Sequence, residues 1–192
     1  MLALPWSKLR GNPINKVRII GGTHRSRLIE FPDAEGLRPT PDRVRETLFN
    51  WLGQTLHGKR CLDLFAGSGA LGFEAASRGA EQVVMVENNR AVFRSLQENE
   101  RKLGLSNVAL QCADGLKFAA NENVAFDIIF LDPPFQSECL PLLMPKLAGL
   151  LTAEGVVYVE SGAEFDAGEG WHVFKQGKAG AVHHQLLGRN QA

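Results

Sequence analysis

From residue 60 onward, short apolar runs alternate with longer segments of helical period. CLDLF (61–65), QVVMVE (82–87), NVALQC (107–112), DIIFLD (127–132) and GVVYVE (155–160) have the length and β-branched content of buried strands. Between them, 89–103 puts Val92, Phe93, Leu96 and Leu103 on one face of a helix. Strand, helix, strand, repeated, predicts a parallel sheet covered on both faces. The tail breaks the rhythm: WHVFKQ (171–176) and AVHHQLL (181–187) flank Gly177, Lys178, Ala179 and Gly180 and read as an antiparallel hairpin. The pattern thus predicts an α/β fold with a mixed, mostly parallel seven-stranded sheet and helices on both faces.

Upstream, KVRIIGG (16–22) and SRLIEF (26–31) predict a small β-hairpin around Gly21-Gly22-Thr23-His24. A helix follows, with Thr40 as N-cap, Pro41 at its first position and Asp42 beside the positive end of the dipole. Val44, Leu48, Leu52 and Leu56 give it a buried stripe, although Gly53 falls inside that stripe.

The chain has 192 residues, 44% apolar and 22% charged, which suits one globular domain with a small appendage. No apolar run is long enough to span a membrane, and the opening MLALPWSKLR is too short in apolar residues for a signal sequence. The expectation is a soluble, cytoplasmic protein that acts as a monomer. Cys61, Cys112 and Cys139 are odd in number and far apart, so neither a disulfide framework nor a metal site is expected.

Net charge is zero but uneven. Residues 1–60 hold 11 Lys and Arg against 5 Asp and Glu, and the rest hold 10 against 16. The division expected is a basic hairpin extension over 1–40 and a neutral or acidic body over 41–192.

Chemistry enters at the ends of the strands. Gly67, Gly69 and Gly72 match G-x-G-x-x-G, and Glu87 ends the next strand 20 residues after Gly67, so the nucleotide-binding fingerprint is formally met. Alone that signal is weak, since such a turn also serves tight helix–strand packing. Asp114 and Asp132 strengthen it, because they follow the third and fourth strands and so share the edge of an open sheet where ligands bind. A carboxylate at Glu87 can accept both hydroxyls of a ribose, and Asp114 can accept from an adenine amino group. Taken singly, each acid would more often cap a helix or face solvent, and Asp114 before Gly115 fits a turn.

The strand at 127–132 runs into Asp132-Pro133-Pro134-Phe135. Two prolines fix consecutive φ angles and remove two donors, leaving an acceptor-only corner beside an aromatic face. Such a notch suits a planar group bearing an NH2, stacked on Phe135.

The combination DLFAGSGALG, Glu87, Asp114 and LDPPF resembles S-adenosylmethionine-dependent methyltransferases that modify exocyclic amines. RIIGGTHRSRLIEFP and GLRPTPDRVRETLFNWL narrow the resemblance to the bacterial 16S ribosomal RNA guanine-N2 methyltransferase family, RsmD, from about Val17 to Leu187. Two departures are Ser26, where the family usually has Gly, and His183-His184 in a final strand that often carries Tyr.

The resemblance implies a Rossmann-like class I methyltransferase fold and transfer of a methyl group to guanine N2 in the small ribosomal subunit, assembling or assembled. It implies that Phe65, Ala66, Gly67 and Gly69 hold the methionine part of S-adenosylmethionine and Asp63 its amino group. Glu87 with Asn88 would take the ribose, and Asp114 with Gly115 the adenine. Asp132 and the Pro133 carbonyl would accept the two N2 hydrogens, with Phe135 under the base. Arg18, Arg25, Arg27, Arg38, Thr40, Arg43 and Arg45 would meet RNA, Arg38 alternatively the cofactor carboxylate. Competing readings are a DNA or other RNA amino-methyltransferase, a nicotinamide-dependent oxidoreductase, which leaves DPPF unused, and a non-catalytic RNA-binding module, which leaves the acid-lined edge unused.

Overall fold

In the computed structural model, which describes residues 14–34, 37, 39–134 and 138–190, the alternation resolves into two sheets and five helices. A separate hairpin comes first, β1 (Ile14–Arg18) paired antiparallel with β2 (Leu28–Pro32). Helix α1 (Asp42–Leu52) leads into the main sheet: β3 (Arg60–Asp63), α2 (Ala70–Ser77), β4 (Gln82–Glu87), α3 (Arg90–Leu103), β5 (Val108–Cys112), α4 (Gly115–Asn121), β6 (Phe126–Leu131), α5 (Cys139–Leu150), β7 (Leu151–Ser161), β8 (Trp171–Ala179) and β9 (Val182–Arg189).

The main sheet has the order β5-β4-β3-β6-β7-β9-β8. Strands β3 to β7 run parallel, whereas β9 is antiparallel to β7 and β8 to β9. The expected mixed seven-stranded sheet with an antiparallel edge is therefore present. From β3 the chain winds outward through β4 and β5, then crosses back to β6 on the other side. The strand ends of β3 and β6 consequently flank a topological switch point, the crevice where an open α/β sheet binds ligands.

Side chains alternate between two cores, as period-2 strands require. Cys61, Met85, Phe130, Tyr158 and Leu186 pack on one face with Val44, Leu48 and Phe49 of α1 and Phe73 of α2. Leu62, Val86, Ile129, Leu131 and Val159 pack on the other with Leu140, Leu143 and Leu147 of α5. The N-terminal hairpin contributes Val17, Ile19, Ile29 and Phe31 to the first core. It is also pinned to α3 by Asn99, whose amide accepts from the Glu30 N–H at 3.1 Å and donates to the Glu30 carbonyl at 2.7 Å.

Three local expectations are revised. The hairpin strands are displaced from 16–22 and 26–31 because the connecting turn folds down onto α2, with the Thr23 N–H on Ser77 O at 2.8 Å. At the start of α1, Pro41 rather than Thr40 holds the cap position, with φ −55° and ψ 147°, and Thr40 points elsewhere. That helix stops at Leu52 because Gly53 turns the chain at φ 98°, so Leu56 is buried from the following loop instead of from a fourth helical turn.

Candidate active site

The glycine turn lies between β3 and α2. Gly69 caps α2 at φ 83°, a conformation that favours glycine, and a Cβ there would lie 2.5 Å from the Phe73 ring. Gly72 lets α2 press on β4, since its Cβ would meet the Met85 sulfur at 2.7 Å. Ala66 is buried and donates its N–H to Val86 O at 2.9 Å, while Phe65 is half-buried against the α4/α5 core.

Asp63 closes β3 beneath this turn, 1% exposed. Its Oδ2 accepts from the Gly72 N–H at 3.0 Å, and its buried Oδ1 has no hydrogen-bond partner among the described residues. Burial pushes its carboxyl up to about 7, against the opposing Gly72 hydrogen bond and with help from the charge of Glu87. A cationic group would satisfy that orphan oxygen.

Glu87, half-buried at the end of β4, fastens two neighbouring segments. Oε2 accepts from Gly67 N–H at 2.9 Å and Oε1 from Asn89 N–H at 2.7 Å. Each oxygen keeps a second lone pair for a hydroxyl. Asn88 is exposed beside it. Asp114, also exposed, caps α4 through a hydrogen bond from Lys117 N–H to Oδ1 at 3.0 Å, and Gly115 is buried behind it.

Across the switch point, Asp132 follows β6. It is half-buried, Pro133 is buried and Pro134 exposed. The Thr40 hydroxyl donates to Asp132 Oδ2 at 3.4 Å. Burial holds the Asp132 carboxyl well above its ordinary range, aided by the charges of Glu160 and Asp63 and opposed by Thr40. Phe135 and Arg38, both expected at the site, lie outside the described residues.

Two residues that the sequence reading did not select complete this edge. Register pairs Asp63 and Tyr158 each with Phe130, so Asp63, Asp132 and Glu160 end three adjacent strands on one face of the sheet. Glu160 is 2% exposed and accepts from the Tyr158 hydroxyl at 2.9 Å; burial raises its carboxyl, against hydrogen bonds from Tyr158 and Thr40. Behind them His184 sits opposite Glu160 in β9 and stacks on Trp51, with ring centroids 5.3 Å apart. Burial lowers the His184 pKa, helped by His183. Among the described residues no cluster of His, Cys, Asp and Glu is arranged to hold a metal.

The basic residues divide. Arg18, Arg25, Arg27 and Arg43 are exposed, Arg18 within 3.3 Å of Asp42. Arg45 corrects its expectation as an RNA contact: it is fully buried, with Nη1 3.3 Å from Glu74 Oε2, Nη2 on Asp42, and Nε donating to Thr40 O at 3.2 Å. Glu74 also binds Arg78 at 2.8 Å and the Ile20 N–H at 2.8 Å. Thr40 is likewise interior, at 5% exposure, and faces the notch rather than an outer surface.

The turn bearing Arg25 and Arg27 docks on the last residues of α2 and α3, through Ser77 and through His24 Nε2 and Leu103 O, which lie 3.0 Å apart. Both helices start at the glycine-turn edge and run away from it. The turn therefore lies at the opposite end of α2 from the glycine turn.

The family described as Conserved hypothetical protein 95 matches residues 17–188. Ribosomal RNA small subunit methyltransferase D of Escherichia coli (strain K12) is 41% identical over 179 residues, covering 91% of this chain and 90% of that protein. The protein of the same name from Haemophilus influenzae is 39% identical over 186 residues, covering 91% and 95%. A solved structure of the Escherichia coli protein yhhF superposes with a TM-score of 0.84 at 38% identity, over 91% of this chain and 98% of that one. With its strand order, its glycine turn and its DPPF corner, this chain belongs to the ribosomal RNA small subunit methyltransferase D (RsmD) family and has the Rossmann-like class I methyltransferase fold.

Proposed function

We propose that this chain transfers a methyl group from S-adenosylmethionine to the exocyclic N2 amine of one guanine in 16S ribosomal RNA, acting in the cytoplasm as a monomer on an assembling or assembled small subunit. The observation that carries the reading is the pairing of two unlike sites across one switch point. Asp63, with an unsatisfied buried oxygen, ends β3, and the acceptor-only Asp132-Pro133 corner ends the adjacent β6. The names of the E. coli and H. influenzae relatives support ribosomal RNA of the small subunit as the substrate.

The residues fit the cofactor. Asp63 Oδ1 takes its ammonium, Phe65 to Gly69 the methionine chain, Glu87 with Asn88 the ribose hydroxyls, and Asp114 with Gly115 the adenine. The bound cofactor supplies an electrophilic methyl group on a sulfonium. Guanine N2 is a weak nucleophile because its lone pair is delocalised into the ring. Asp132 and the Pro133 carbonyl accept its two hydrogens, orienting the nitrogen and opposing the positive charge that develops on it. Phe135 supplies a face for the flipped base, which has lost its stacking partners. Arg18, Arg25, Arg27 and Arg43 contact RNA phosphates, and the first hairpin then serves as a basic extension (1–40) of the catalytic domain (41–192).

The test is to map methylated bases in 16S ribosomal RNA from a deletion strain and its complemented counterpart. One N2-methylguanine should vanish and return. Identical maps from the two strains would overturn the reading.

A further inference from the structure

Thr40 stands at a junction that the reading above leaves unused. Its hydroxyl donates to Asp132 Oδ2 at 3.4 Å, and the same hydroxyl lies near enough to Glu160 to favour the charged form of that carboxyl. Its backbone carbonyl is held by Arg45 Nε at 3.2 Å, inside the fully buried pair of Arg45 with Glu74. Glu160 is held from the far side by the Tyr158 hydroxyl at 2.9 Å. Every member except Asp132 is at least nine-tenths buried. Asp132, half-buried, is where this chain of contacts surfaces at the notch.

A merely structural glutamate would need a reason to be here. Ending β7 with an ionisable group 2% exposed, beside two other carboxylates, costs folding free energy, and an apolar residue would fill the same space without that penalty. Tyr158 does not require it either, because a tyrosine hydroxyl can donate to a neutral acceptor. What Glu160 adds is a negative charge beside Asp132 on the adjacent strand, where Leu131 pairs with Val159, so the Asp132 carboxylate is held by the Thr40 hydroxyl on one side and turned away from the Glu160 charge on the other.

Resting on the methyl-transfer reading, we propose that Glu160 and Thr40 are positioning residues of the reaction, which hold the Asp132 carboxylate in the orientation that accepts the target amine. One oxygen of Asp132 is committed to the Thr40 hydroxyl, so the other faces the amine. The arrangement demands no additional co-reactant. The methyl group passes to the amine nitrogen, the S–C bond breaks, and the proton that the nitrogen then sheds leaves through Asp132 to solvent at the exposed Pro134 side.

The charged and titratable groups around Asp132 are Glu160 and Tyr158 of β7 and Asp63 of β3. Arg45 lies behind Thr40, and His184 of β9 lies behind Tyr158. Among these, the negative charge of Glu160 raises the Asp132 carboxyl. Removing that charge lets Asp132 ionise at lower pH, which gives a signature that loss of packing alone would not produce.

The experiment compares Thr40→Val, Thr40→Ser and Glu160→Gln with the parent, using ribosomal RNA or small subunits from the deletion strain and saturating S-adenosylmethionine. Glu160→Gln keeps an oxygen acceptor for Tyr158, and Thr40→Val keeps the shape, so melting temperatures report whether folding is intact. Expected are kcat losses of roughly ten- to hundredfold in Thr40→Val and Glu160→Gln with KM for RNA and cofactor affinity near the parent's. Thr40→Ser should recover most of the loss, and the acid limb of kcat in Glu160→Gln should move to lower pH. Parent-like kcat with an unmoved acid limb would overturn the inference, as would a loss in Thr40→Val that Thr40→Ser does not recover. Failure of the parent protein to methylate either substrate would instead overturn the underlying reading, and this inference with it.

Discussion

The backbone N–H of Gly67 donates to Glu87 Oε2 at 2.9 Å, so the acid that ends β4 is part of the glycine turn's own architecture. Because the other oxygen accepts from Asn89, both are committed to N–H donors. Glu87→Gln would set an NH2 against one of these donors and is no milder than Glu87→Ala. Each charge-assisted bond lost is worth about 1.5–3 kcal/mol, so both variants should weaken S-adenosylmethionine binding roughly ten- to hundredfold by calorimetry. Parent-like affinity of Glu87→Gln would remove the carboxylate from the turn.

Asp132→Ala should leave cofactor affinity within about twofold of the parent while abolishing methyl transfer, since what is lost is stabilisation realised in the transition state. Paired calorimetry and single-turnover assays on the same preparation check this. Any substantial residual turnover would mean that the Pro133 carbonyl suffices.

Asp63 carries a pH dependence of definite sign. Its carboxyl stands at about 7 in the fold against an ordinary 3.8, so the folded protein holds a proton that the unfolded chain has released. Stability contributed through this group is complete below about pH 4 and is lost as pH rises through about 7. Cofactor affinity runs the other way, because the ammonium prefers the ionised carboxylate: binding should tighten from pH 5.5 to 7.5. Asp63→Asn should flatten that titration and weaken binding at pH 7.5. A flat parent profile would show that the ammonium lies elsewhere.

Ser26 occupies a left-handed conformation at φ 71°, a region that favours glycine. A non-glycine residue there costs about 1–2 kcal/mol, and glycine returns about 0.5–1 kcal/mol in unfolded-chain entropy. Ser26→Gly should therefore stabilise the protein by about 0.5–1 kcal/mol in urea denaturation, with unchanged cofactor affinity. A destabilised variant would mean that the Ser26 side chain makes a compensating contact.

Arg25→Ala with Arg27→Ala should leave S-adenosylmethionine affinity unchanged and weaken ribosomal RNA binding. Each lost phosphate contact makes the slope of log K against log salt shallower by roughly 0.7–0.9. Since the turn lies at the opposite end of α2 from the glycine turn, the loss should fall equally on RNA with and without the target guanine. Unaltered affinity and slope would return these charges to plain solvation.

Most of the strand-end edge was legible in the sequence because it is encoded locally. A buried strand is an unbroken apolar run, so the first polar residue after it marks the edge, as at Glu87 and Asp132; Asp114 follows a half-exposed edge strand that already holds Gln111 and is marked by the turn before Gly115 instead. Glu160 carries the same mark, GVVYVE ending as QVVMVE does, but its role depends on Asp132 and Tyr158 beside it, which the strand pattern alone does not reveal. Thr40 was read as a helix cap because its neighbours Pro41 and Asp42 suit a helix start, whereas its partner lies 92 residues on. The stripe Val44, Leu48, Leu52 and Leu56 leaves Arg45 among the residues expected to meet RNA. The buried face of α1 is wider, taking in Arg45 with Phe49 four residues later. Charge inside a core depends on partners, here Glu74, that no local pattern reports.

Glu74 ties the N-terminal hairpin, at Ile20, to the helix that carries the glycine turn, and Arg45 ties the same carboxylate to the notch threonine. Neutralising the hairpin's outer charges and deleting the hairpin are thus different operations. A chain begun at residue 40 would take Val17, Ile19, Ile29 and Phe31 out of the first core and strip Glu74 of a donor, so it would report on folding rather than on RNA. In this architecture the hairpin is not a detachable module: the glutamate that neutralises Arg45 and Arg78 inside the core is the same one that holds the hairpin's backbone.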